Sequence, residues 1–195
     1  MIPRFLALAF GLLSVPTFAA EAPADFAGIK WGASHAEANA AMVARGAVPQ
    51  RGSDEQMNFS GGNFNGQPAA GFALRFVGGG LQGGLVRLPV KGEGAAAFRK
   101  LKSELNDQYG TANDVQVGPR KAAHFVFGLG WRSGGVNRPN LSAEWSLTSG
   151  IKPRTVAIHL WLAGGELQLA YGNQTMVKAA APATGPATMK KKGDL

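Results

Sequence analysis

Hydrophobic and polar positions repeat with two different periods along this chain, and the changes of period mark its elements. After Trp31-Gly32, Ser34 and Glu37 stand in an S-x-x-E pattern, in which the serine oxygen and the glutamate carboxylate satisfy orphan amides of a first helical turn. Ala36, Ala40 and Val43 follow at helical spacing and are the expected buried face, and Gly46 supplies the stop. A second helix is predicted from about Glu93 to Tyr109. Phe98, Leu101, Leu105 and Tyr109 form its apolar stripe, Arg99, Lys100, Lys102, Glu104 and Asp107 fall mostly away from it, and Gly110 ends it.

The remainder alternates with period two. Met57 and Phe59 predict one strand, Phe72, Leu74 and Phe76 another, and a Gly78-Gly79-Gly80 turn leads into a third over 81–88. Further strands are expected at Ala123–Phe127, at Leu141, Ala143, Trp145 and Leu147, at Val156, Ile158, Leu160 and Leu162, and at Leu167, Leu169 and Tyr171. Short glycine-rich links between such runs favour antiparallel hairpins. No helix interrupts the last four strands, which argues against a parallel sheet. The prediction is an α+β fold in which two helices pack on an antiparallel sheet. The order helix-then-strands occurs twice, so modules 26–90 and 91–172 are expected within one body spanning 26–172.

Residues 1–19 read as a secretory signal peptide: Arg4, an apolar run from Phe5 to Val15, then Thr17 and Ala19 as the small residues before cleavage. The apolar run is shorter than the roughly 20 residues needed to span a bilayer. No later stretch is apolar enough to cross one. The expected location is periplasmic or secreted. Residues 20–25 form a Pro/Ala-rich leader. The segment 173–195, rich in Ala, Pro and Thr and ending in Lys190, Lys191 and Lys192, reads as a disordered basic tail. The formal charge of +8 owes much to that tail. A basic surface favours anionic partners without selecting among them. The chain has no cysteine, which excludes disulfides, thiolate metal sites and a lipoprotein anchored through a lipidated cysteine.

Gly28-Ile29-Lys30-Trp31-Gly32-Ala33-Ser34 with Glu37 resembles the opening of many small exported bacterial proteins, and Phe98, Leu101, Leu105 and Tyr109-Gly110 resemble their second helix. The outer-membrane assembly lipoproteins and the β-lactamase inhibitor proteins share this helix-then-hairpin plan. The resemblance implies a duplicated binding scaffold and no particular partner. Ala33 stands where that opening often has methionine.

Chemical motifs are sparse. Gly78, Gly80 and Gly83 fit G-x-G-x-x-G, but a strand follows where a dinucleotide site needs a helix, so a hairpin is expected. Ser149-Gly150-Ile151-Lys152 fits S-x-x-K, but Gly150 and Pro153 and the flanking strands predict a turn. His35, His124 and His159 show no zinc spacing, although His124 and His159 both lie in predicted strands and would meet only across a sheet. Glu144 and Glu166 are isolated in the sequence. No cofactor is implied. Arg120, Lys121, Trp131, Arg132, Arg138, Lys152 and Arg154 gather in glycine-rich loops, where aromatics and cations together suit an anionic partner. They are the candidate ligand-binding residues, with Lys190, Lys191 and Lys192 as tail contacts to polyanions. The expected function is a non-enzymatic exported binding or envelope-assembly protein. Its partner would be an envelope protein or an anionic surface component, with no specific nucleic acid. The alternatives are an exported hydrolase whose site assembles only in three dimensions, and a polyanion binder using the basic loops and tail.

Overall fold

A computed structural model describes residues 21–114, 141–149 and 154–174. In chain order its elements are β1 (Asp25–Phe26), β2 (Ile29–Lys30), α1 (His35–Ala44), β3 (Ala47–Ser53), β4 (Gln56–Gly61), β5 (Asn63–Phe64), β6 (Gln67–Pro68), β7 (Gly71–Val77) and β8 (Gly80–Pro89). Then come α2 (Gly94–Tyr109), β9 (Asn113–Asp114), β10 (Ser142–Ser149), β11 (Arg154–Ala163) and β12 (Glu166–Asn173). The fold is α+β. One antiparallel sheet of eight strands runs β3-β4-β7-β8-β12-β11-β10-β9, and two small hairpins, β1-β2 and β5-β6, stand beside it. The last long strand of each half meets the other at the centre, where Val86 lies opposite Leu169 and Leu88 opposite Leu167. Outward from that seam each half lays down its strands in the reverse of chain order.

The alternation seen in the sequence becomes the two faces of this sheet. Phe72, Leu74, Phe76, Val86, Val156, Ile158, Leu160 and Leu169 point to the face that carries both helices, and they join Ala38, Met42, Phe98 and Leu105 in one core. Ala73, Leu85, Ala157, Trp161, Ala163 and Ala170 point the other way and form a second buried cluster. Among the described residues, that cluster is built of strand side chains alone.

α1 starts as its sequence requires. Ser34 N donates to Glu37 Oε2 at 2.8 Å and Glu37 N to Ser34 Oγ at 3.4 Å, and Gly46 turns the chain out at φ 77°. Its buried face differs from the expected one. Ala38 and Met42 are buried, while Val43 is 49% exposed. In a helix of mostly small residues the alanines carry little phase information, and the single large flexible side chain that reaches the core decides the orientation. His35, on the same helix, stacks on Phe76 with ring centroids 3.8 Å apart. α2 matches its predicted bounds and stripe: Phe98 and Leu105 are buried, and Leu101 and Tyr109 pack partly against the core.

The predicted strands over 57–59, 72–76, 81–88, 141–147, 156–162 and 167–171 fall within β4, β7, β8, β10, β11 and β12, with Leu141 immediately before β10. Ala123–Phe127 lies outside the described residues. β3 was not expected, because an edge strand exposed along Val48–Ser53 and containing Pro49 has no apolar alternation. At the ends of the body, Ala22 of the leader is buried in the core. β12 continues through Asn173, which pairs with Val156, so the strand includes the residue at which the tail was expected to begin.

Candidate functional site

A cleft of about 490 Å³ opens where α2 passes over the ends of β8 and β12. Its floor is Leu88 and Leu167, directly opposite one another in the β8–β12 ladder and each 6% exposed. Ladder pairing continues past Pro89, with Val90 N donating to Gly165 O at 3.2 Å. The chain then turns through Lys91-Gly92, with Gly92 at φ 89°, into the start of α2. That start is pressed onto β11: a Cβ added to Gly94 would stand 2.8 Å from Leu162 Cδ2. Farther along α2, Ala97, Lys100, Leu101 and Glu104 recur at i, i+3, i+4 and i+7 and form one wall. Gln67 and Pro68 of β6 line the cleft from another side. The interior is therefore mostly apolar, and the charges stand on the helix and on the Lys91 link. Lys100 Nζ reaches Glu104 Oε1 at 4.0 Å, both side chains being largely exposed.

A second, more polar cavity of about 330 Å³ lies between the tips of the two small hairpins and the end of α2. Both tips are two-residue loops with left-handed backbone, Ala27-Gly28 (φ 53° and 74°) and Asn65-Gly66 (φ 49° and 81°). Asp25 Oδ1 accepts from Gly28 N at 2.9 Å and Asn63 Oδ1 from Gly66 N at 2.8 Å. Phe26, Phe64 and Tyr171 pack at the base, with ring centroids of Phe26 and Tyr171 5.7 Å apart. Tyr109 and Tyr171 both line this cavity. Burial raises the pKa of both, Tyr171 well above the ordinary phenol range.

The third chemical feature is on the face opposite α1 and α2. The β10–β11 register sets Glu144 opposite His159, and His159 Nε2 lies 3.0 Å from Glu144 Oε2. His159 is 2% exposed, and desolvation lowers its pKa while the Glu144 carboxylate opposes that shift. Glu144, isolated in the sequence, thus has a partner. So has Glu166, whose Oε2 lies 3.8 Å from Arg87 Nη1.

The basic cluster predicted from sequence is not brought into view. Arg120, Lys121, Trp131, Arg132, Arg138, Lys152, Lys190, Lys191 and Lys192 lie outside the described residues, as does His124. Arg154 opens β11 opposite Ser149, and its side chain lies outside the description too. The glycine motif takes the form expected of it: Gly78-Gly79 is the β7–β8 hairpin turn. Ser149 ends β10, and Gly150, Ile151 and Lys152, where the second motif was expected to turn, lie outside the described residues. Trp145 is buried in the core with its Nε1 donating to Gly110 O at 2.9 Å. Among the described residues no group of three or more His, Asp or Glu side chains is placed to hold a metal, and no helix is long and apolar enough to cross a membrane. No protein-family model matches this chain, and no curated protein or solved structure does.

Proposed function

We propose that this chain is an exported, non-enzymatic binding protein, delivered by the signal peptide at residues 1–19, and that the cleft under α2 is its ligand seat. The observation that carries the reading is the cleft itself. Its volume of about 490 Å³ is that of a small-molecule site, its interior is mostly apolar, and a few charged groups stand at its mouth. The repeated helix-then-strands order supports the same reading, because a two-module scaffold joined at β8 and β12 holds α2 and both floor residues on one rigid sheet. Native mass spectrometry of the protein purified from its own envelope tests the proposal. A bound small molecule should appear as a mass increment that Ala97→Phe, which fills the cleft, removes.

The exported-hydrolase reading is favoured by one observation, the 3.0 Å contact between His159 and Glu144. A histidine held by a carboxylate is the arrangement a general base needs. Against it, His159 is 2% exposed and lines neither of the two cavities. Turnover of ester or amide reporters that disappears in His159→Gln, together with no mass increment on the native protein, would replace the binding proposal with this one.

A further inference from the structure

We propose that the cleft takes a single-chain aliphatic carboxylate, with its tail on Leu88, Leu101 and Leu167 and its carboxylate at Lys91 and Lys100. The inference rests on reading the cleft as the ligand seat and adds the chemistry of the ligand.

The tail is called for by the walls. Leu88 and Leu167 form a continuous apolar floor across two paired strands, and Leu101 overhangs it from the helix. A flexible chain can lie along the seam between a helix and strand ends, and its burial returns free energy in proportion to the area taken from water. One chain is called for by size, since about 490 Å³ lies in the lower half of the range for small-molecule sites.

The head group is called for by the mouth. Lys91 is exposed in the link before α2 and has no ion-pair partner among the described residues. Among the described residues Lys100 pairs with Glu104, at 4.0 Å and with its side chain 80% exposed, a surface pairing of little strength that a ligand carboxylate readily shares. The two lysines outnumber the one glutamate at the mouth. An ammonium head would be repelled there, and a hydroxyl would gain a hydrogen bond without the charge–charge attraction a carboxylate adds.

Calorimetric titration of the exported full chain with octanoate, decanoate, decanol and decylamine tests the inference. Decanoate should bind more tightly than decanol, and decylamine weakest. Lengthening octanoate to decanoate should raise affinity about fifteenfold, about fourfold for each added methylene. Lys91→Gln, an exposed substitution, should weaken decanoate about fivefold and leave decanol unchanged. Ala97→Phe should abolish binding of both. Should that variant fail to fold, Pro68→Trp on the exposed β6 wall serves in its place.

Equal affinity for decanoate and decanol, with both lost in the filled variants, would keep the cleft as the seat and overturn the carboxylate. Adsorption to vesicles of phosphatidylcholine and phosphatidylglycerol without binding of free decanoate would overturn the single-chain ligand. Decanoate binding unchanged by both filling variants, or no binding of any of these probes, would overturn this inference. The native-protein measurement under Proposed function would then decide whether the cleft holds some other ligand.

Discussion

Gly84→Ala places a methyl group where the structure has no space for one. Gly84 lies in the middle of β8, opposite Leu74 on one side and Tyr171 on the other. A Cβ built there would stand 2.1 Å from Phe26 Cδ1 and 2.3 Å from Cγ and Cε1. Unstrained carbon atoms sit about 3.5–4.0 Å apart, so the ring would have to retreat by more than about 1 Å. Phe26 is 1% exposed and is flanked by Phe64 and Tyr171 at centroid distances of 6.1 and 5.7 Å. The backbone of Gly84 is not left-handed, so alanine meets no conformational strain there and the whole cost is one of space. Overpacking of this kind costs about 1–3 kcal/mol, and complete loss of a phenylalanine's packing about 3–5 kcal/mol. The expected cost of Gly84→Ala is therefore about 2–3 kcal/mol. In a Phe26→Ala background the same substitution should change sign. The ring is gone, and replacing glycine reduces the entropy of the unfolded chain, a gain of about 0.4–1 kcal/mol. Urea denaturation of the four proteins of this double-mutant cycle, followed by tryptophan fluorescence, reads both numbers. The same destabilisation in both backgrounds would show that Phe26 does not lie over Gly84.

Phe98→Ala should cost about 3–5 kcal/mol in the same assay, because it empties a site that is 4% exposed, and Leu101→Ala should cost less, because Leu101 faces the cleft; equal costs would place Leu101 in the core. Ser34→Ala should cost about 1 kcal/mol through loss of the capping box, and an unchanged midpoint would show that α1 does not depend on it. His159 is lowered by burial below its ordinary value of about 6.5, so on acidification the unfolded chain takes up the proton first. Stability should fall as pH drops through about 6.5 towards the folded value, by at most about 1.4 kcal/mol per pH unit, and His159→Gln should flatten that fall; melting temperatures at about pH 7 and pH 5 measure it, and a native protein that gains stability in acid would show that Glu144 outweighs the burial.

α2 was legible from the sequence in bounds and in face, because its stripe is made of large residues whose burial dominates its energetics. α1 was legible in its start and its stop, and not in its buried face. The cap is a local pattern of two side chains, whereas the buried face depended on Met42 reaching the core from among alanines. The long inner strands showed themselves by alternation, and β3 did not, because an exposed edge buries too little to need a pattern. The small hairpins are shorter than any period, although Asn65-Gly66 is a dipeptide that marks such a turn. The His159–Glu144 contact was hidden until a register existed. Both residues stand equally far from the Ser149–Arg154 end pair, so fixing that hairpin fixes the contact. The cleft was beyond reach of any local reading, since β6, β8, β12 and α2 all contribute to it and it exists only once β12 pairs with β8.

The central claim is that ligand enters under α2, and methyl-resolved NMR of the exported full chain titrated with decanoate tests it most directly. The leucine methyls of Leu88, Leu101 and Leu167 should shift together along one saturating curve. Ala157 and Ala170, on the opposite face of the sheet, should stay still. Shifts confined to Ala157 and Ala170, or none at the three leucines at saturating ligand, would contradict it.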